Sequence, residues 1–291
     1  MSIRIGINPL TWTNDDLPAL GDEISLETCL TEAAAAGYSG VELGRKFPRQ
    51  ADVLGEILSK HKLALVSGWY SLHLDDHNAD AEFAAMRPHF DLLQALGSNV
   101  MVCAEVTRAV HGDINLRLSR RPQFSASEFA RFAERLSALA ARMRAEGMQL
   151  AYHHHMGTVI QTEDEVDALM TACSPDVQLL LDTGHLTFAG GDPVRAANNH
   201  STRIAHLHCK DIRPDVLRRC RNADTSFLEA VLQGVFTVPG DGCIDFAAVL
   251  KPLLAGNYEG WIVVEAEQDP AVADPVTYAN LGYRTLRALT R

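Results

Sequence analysis

Eight short apolar runs recur along this 291-residue chain, and polar side chains scarcely interrupt them. They span Ile3–Asn8, Gly40–Leu43, Leu63–Ser67, Asn99–Ala104, Gln149–His153, Gln178–Asp182, Ile204–His208 and Trp261–Glu265. A strand with one wet face alternates apolar and polar residues, whereas a strand covered on both faces reads as a continuous apolar run. Segments with helical spacing lie between the runs. Ser25–Tyr38 opens on a serine N-cap with Glu27 in its first turn and closes at Gly37. Ser125–Gly147 opens on a capping box, Ser125 and Glu128, and ends on a glycine. Ala79–Gly97, Thr162–Cys173, Asp245–Gly256 and Asp274–Leu289 read likewise.

Covered strands alternating with helices predict an α/β fold, a (β/α)8 TIM barrel forming a single domain over residues 1–291. A doubly wound open sheet is the alternative, but no Gly-x-Gly-x-x-Gly follows the first run. Two irregular stretches, Thr107–Phe124 and Ile212–Gly242, leave the C-terminal ends of strands, where a barrel carries its active-site loops. The second has enough apolar content to pack as a lid over the barrel or to take part in a homo-oligomer contact.

Composition narrows the function. A net charge of −11 disfavours nucleic-acid and anionic-membrane partners, and the basic run Arg213–Arg221 reads as a solvated helix face. No stretch of eighteen apolar residues predicts a membrane span, and the N-terminus does not read as a signal peptide. Six cysteines, none in a Cys-x-x-Cys pair, fit a cytoplasmic, reducing setting.

Three runs end in Asp182, His208 and Glu265, and a fourth runs into His153, His154 and His155. Carboxylates and imidazoles gathered on one rim suit a divalent metal. Side chains alternate along a strand, so His153 and His155 share one face and His154 takes the other. His206 shares the face of His208 and reads as deeper and structural. His185, Lys210 and Glu267 lie close to these ends and, with His155, are the candidates for proton transfer and substrate orientation. Asp211 serves equally well as a loop cap. Asn8 and Trp12 after the first run, Glu42 closing the second, and Trp69 after the third are candidate substrate-binding residues.

These stretches resemble the xylose-isomerase-like barrel superfamily of sugar isomerases, epimerases and dehydratases. The likeness rests on Asp182, on His-x-Lys-Asp at His208–Asp211, and on Gly-Trp-x-x-x-Glu ending at Glu265. Longer stretches are similar to the inosose dehydratase family: INPLTWTNDDLP, YHHHMGT, LLLDTGHLTFAGGDP, HLHCKDIR and FTVPGDGCIDF. The resemblance implies a hydro-lyase that dehydrates a small polyol ketone, 2-keto-myo-inositol (scyllo-inosose), to a trihydroxycyclohexane dione, with manganese or cobalt. It also implies a link to glutathione, for which no separate sequence signal exists. Many superfamily members carry glutamate at the end of strand five, and this chain places His153 there, giving an expected ligand set of His153, Asp182, His208 and Glu265. The alternatives are a metal-dependent ketose or inosose isomerase or epimerase, a DNA-repair endonuclease, which the acidic charge disfavours, and a non-catalytic sugar-binding protein.

Overall fold

Residues 3–290 are described by a computed structural model. The strands are β1 (Arg4–Ile7), β2 (Gly40–Leu43), β3 (Ala64–Leu72), β4 (Val100–Glu105), β5 (Gln149–His153), β6 (Val177–Asp182), β7 (Ile204–Cys209), β8 (Asp211–Ile212), β9 (Phe236–Thr237) and β10 (Trp261–Val264). Eight of them close into a parallel barrel in the order β1-β10-β7-β6-β5-β4-β3-β2, and β8 and β9 form a separate antiparallel pair. The eight apolar runs are therefore the eight staves. In the first stave, Ile5, Gly6 and Ile7 are all buried while Arg4 at its start is exposed, and both edges are occupied, by β2 and β10.

The helices are α1 (Leu26–Ala36), α2 (Ala51–His61), α3 (Ala79–Ala95), α4 (Ala126–Ala145), α5 (Glu163–Ala172), α6 (Thr183–Ala189), α7 (Pro193–His200), α8 (Pro214–Ala223), α9 (Phe227–Leu232), α10 (Phe246–Ala255) and α11 (Pro275–Leu289). Ser25 caps α1 by accepting from Thr28 N, and Gly37 ends it at φ 106°, a left-handed conformation suited to glycine. Ser125 and Glu128 form both arms of the capping box of α4. One large apolar cluster packs the helices onto the sheet. Two small ones, Val100, Val102, Ala151 and Leu180, and Val66, Trp261 and Val263, fill the barrel below its C-terminal rim. Trp261 leans over Gly40, where an added Cβ would stand 2.8 Å from the indole.

The structure differs from the sequence expectation in three places. Strand β3 continues to Leu72, so Trp69 and Tyr70 lie within the strand and not after it. That extension is held by pairing of Trp69, Tyr70, Ser71 and Leu72 with β4. Helices α2, α6, α7 and α9 form where no helix was expected, whereas α8 covers the basic run that the sequence reads as a helix face. Most of the unexpected four are short, so their apolar stripes are brief. Third, the basic run is only partly solvated: Arg213 donates to the Gly234 and Phe236 carbonyls and Arg221 to those of Thr187 and Phe188.

The stretch 212–242 builds its own small core from Phe188, Ile212, Leu217, Phe227, Val231 and Phe236. The other stretch, 107–124, is stitched to it. Arg117 and Ser226 form an antiparallel bridge, Leu118 N donates to Thr225 O at 3.2 Å, and Ser119 bonds Asp224 through both backbone N–H and hydroxyl. The two stretches together make a packed cover on one side of the barrel mouth.

Candidate metal centre and active-site cavity

His153 ends β5, Asp182 ends β6, His208 sits one residue before the end of β7, and Glu265 follows β10. Parallel staves bring these four positions to one height, as the pairing of Asp182 with His208 illustrates. One nitrogen or carboxylate oxygen from each lies within 4.8 Å of the others, and all four residues are buried. His153 Nε2 is 3.6 Å from Asp182 Oδ2, and His208 Nδ1 is 3.5 Å from that same oxygen. The His153 Nδ1–H donates to the carbonyl of His154 at 2.9 Å, which leaves Nε2 as the bare lone pair facing the cluster. Asp182 divides its carboxylate: Oδ1 accepts from His185 N at 2.8 Å and caps α6, while Oδ2 has no hydrogen-bond partner. His208 Nδ1 is also without a hydrogen bond, although Glu265 Oε2 stands 3.0 Å away, outside hydrogen-bonding geometry. Buried polar atoms left bare are costly. Here they converge, and their chemistry, two imidazole nitrogens and two carboxylates, fits a divalent cation.

Behind His208 lies a carboxylate that orients it. Glu42 accepts from His208 Nε2 at 3.2 Å, His206 Nε2 at 2.9 Å, Ser67 Oγ at 2.5 Å and Asn8 Nδ2 at 2.7 Å. Fixing the proton on Nε2 turns the Nδ1 lone pair toward Asp182 and Glu265, the carboxylate–histidine arrangement typical of metal sites. Burial by itself would raise the Glu42 carboxyl, but the His208 and His206 rings hold it well below the ordinary carboxylate range. Burial opposes charge on His208 too, yet Glu265 and Glu42 hold that ring well above the ordinary imidazole value. The surroundings favour positive charge at this point.

Lys210 has no exposed surface, and its ammonium lies 2.5 Å from Glu265 Oε1, 2.8 Å from Glu267 Oε2 and 3.7 Å from Asp182 Oδ2. Burial would lower it, and Glu265, Glu267 and Asp182 together hold it above the ordinary lysine value. Glu267 is pushed up to about 7 by burial, with Lys210 pulling against it. Behind Lys210, His185 Nε2 is 3.0 Å from Nζ. The cover contributes aromatic rings: Phe227 stacks on His185 with centroids 5.5 Å apart, and Phe236 takes the Lys210 ammonium 4.8 Å from its centroid. His155 donates from Nδ1 to Met156 O at 2.8 Å, leaving Nε2 free. Burial and neighbouring His111 depress it well below the ordinary value, so its ring is neutral.

A cavity of about 750 Å³, mouth included, opens over the cluster. Of the sequence candidates, Asn8, Glu42, Trp69, His153, His155, His208, Glu265 and Glu267 line it. Asp182, His185 and Lys210 are not in the lining but touch it, at His153, Glu267 and Glu265 respectively. Trp12 is the correction. It is fully buried and its indole N–H donates to Glu32 on α1, away from the cavity: the backbone stays at the cavity through Leu10, and the short 3-10 helix Pro9–Thr11 leaves the Trp12 ring on the α1 side. Asn8 donates to both Glu42 and Glu265, so one amide ties the orienting carboxylate to the candidate ligand. The sequence reading missed Asp15 and Asp16 at the mouth and His111, which reaches the cavity from the stretch 107–124. The available signal was a single histidine in one of the two long strand-end excursions.

Residues 30–289 match the family model described as Xylose isomerase-like TIM barrel. The Rhizopine catabolism protein MocC of Rhizobium meliloti is 49% identical over 286 residues, 98% of this chain and 88% of that protein. The inosose dehydratase of Geobacillus thermodenitrificans is 44% identical over 279 residues, 95% of this chain and 94% of its own length. Among solved structures, the IOLI protein with a bound zinc atom has a TM-score of 0.69 at 16% identity, covering 99% of this chain and 98% of that one, a likeness of fold. The chain belongs to the xylose isomerase-like TIM-barrel family, alongside proteins named inosose dehydratase and MocC.

Proposed function

We propose that this protein is a metal-dependent hydro-lyase that dehydrates scyllo-inosose to a trihydroxycyclohexane-1,2-dione. The observation that carries the reading is the convergence of His153, Asp182, His208 and Glu265 on one point, with Asp182 Oδ2 and His208 Nδ1 left bare. The relatives named inosose dehydratase supply the substrate. A divalent cation at these four residues, manganese or cobalt by the family likeness, supplies Lewis-acid polarisation of the ketone.

The rest falls to the chain. Glu267 lines the cavity with Oε2 held by Lys210, which leaves Oε1 to take the proton next to the ketone. The neighbouring carbon loses its hydroxyl, and the proton held by Glu267 passes to it, so one water leaves and a carbon–carbon double bond remains. That product is the enol of the dione and rearranges to it. The neutral His155 ring offers Nε2 as a hydrogen-bond partner for substrate oxygen. Lys210 stays charged and offsets the carboxylates around it, and His185 steadies Lys210 from behind. Phe227 and Phe236 keep water from that side.

Incubation with inosose and manganese or cobalt, with and without reduced glutathione, followed by mass spectrometry, tests the reading. A product lighter by one water is expected. A product of unchanged mass would replace the hydro-lyase with an isomerase or epimerase.

A further inference from the structure

His111 lines the cavity but has no part in the reaction proposed above. It lies in the stretch 107–124, beyond the end of β4, and is half-buried. Two contacts put it at the cavity. Val110 N donates to Gly157 O at 2.9 Å. Gly157 sits at φ 80°, and a Cβ there would meet the His111 backbone nitrogen at 3.0 Å. The absence of a side chain at Gly157 lets the two backbones touch and carries the His111 ring in beside His155, with centroids 4.9 Å apart. Trp69 at 6.5 Å and Phe227 at 6.5 Å complete its surroundings, both edge-on.

An aromatic ring in that position would pack as well if it were phenylalanine. His111 instead brings two nitrogens, and among the described residues neither has a hydrogen-bond partner. Nδ1 is buried and bare, and Nε2, which is not buried, is the nitrogen able to meet a ligand. The other histidines facing this cavity have a ring nitrogen committed to the protein: His153 to His154 O, His155 to Met156 O and His208 to Glu42. His111 alone among these four is uncommitted while lining the cavity.

We infer that His111 is a specificity-determining residue whose Nε2 hydrogen-bonds a ring hydroxyl of the polyol. The inference rests on the reading of the cavity as a site for a cyclic polyol ketone. His111 touches substrate without joining the proton transfer, so its loss weakens binding and discrimination more than turnover.

The test compares the parent protein with His111→Phe, which keeps the ring and its packing, and His111→Gln, which restores a hydrogen-bonding group. For inosose, His111→Phe is expected to raise KM about tenfold with a smaller change in kcat, and His111→Gln to recover part of the loss. Bound metal per chain and Tm should stay at parental values. Binding of scyllo-inositol and of its monodeoxy analogue, measured by calorimetry on the metal-loaded protein, gives the second readout. The parent should prefer the inositol, and His111→Phe should bind the two alike. An unchanged KM together with unchanged preference would reduce His111 to a packing residue. Failure of the parent to dehydrate inosose would remove the proposed reaction, while the inositol arm would still decide the His111 contact. Failure of the parent to bind either cyclitol would overturn both.

Discussion

Asp182 does two jobs with one side chain, and they can be separated. Its Oδ1 caps α6, whereas its Oδ2 faces the candidate metal position. Asp182→Asn retains a capping oxygen and removes the charge. The expected outcome is near-parental folding by circular dichroism with bound metal lost in elemental analysis; full metal retention would place the cation elsewhere. Glu42→Gln acts one step further out. It leaves the four candidate ligands intact but weakens the acceptor that sets the His208 tautomer, so metal affinity should fall roughly 10–100-fold in a competition titration with a chelator. Asp182, His208 and Glu265 were legible because strand ends are visible as the ends of apolar runs, and the family resemblance singled out His153 from the histidines that close a fourth run. The orienting role of Glu42 was not, since it depends on His206 and His208 being more than 160 positions away and yet within hydrogen-bonding distance. Trp12 misled for the opposite reason: nearness in sequence to Asn8 said nothing about which side the 3-10 helix between them would give its ring.

At the scale of elements, Asp211 shows how a residue beside the chemistry serves the scaffold. Its carboxylate accepts from the backbone N–H groups of Ile212, Gly240, Gly242 and Ile244, and so folds the Pro239–Gly242 turn back against β8. Asp211→Ala leaves these donors without their acceptor. We expect a loss of roughly 3 kcal/mol in urea unfolding, with faster amide exchange across 239–244. An effect below about 0.5 kcal/mol would mean that solvent satisfies the turn equally well. The barrel staves were readable because burial on both faces leaves an unbroken apolar signature. The end of β3 was not, because Trp69, Tyr70 and Ser71 mix aromatic and polar character and are ordered by their neighbours on β4. Nor was the pairing of the two excursions, which depends on one bridge and a few hydrogen bonds between residues over a hundred positions apart.

For the whole molecule, the rim concentrates carboxylates in a buried place and offsets them with Lys210 and a ring of imidazoles. A cation that binds only the folded form adds stability by mass action, about 2.7 kcal/mol at a concentration one hundred times its Kd. Thermal unfolding should therefore shift upward on adding manganese or cobalt and downward with a chelator. Asp182→Asn should show no such shift. A parental Tm indifferent to both additions would argue against a folded-state metal site.

The packed cover has a further consequence for traffic. Phe227 and Phe236 block one flank of the mouth, while Asp15, Asp16 and half-open Trp69 stand on the other. Among the described residues, arrival and departure then share the doorway on that open flank. A dione still in the chamber bars the next ketone from entering, and the enzyme must empty before it can refill. Accumulating product would act as a plug that fresh substrate can outcompete, which makes the width of that doorway, as much as the chemistry below it, a governor of throughput.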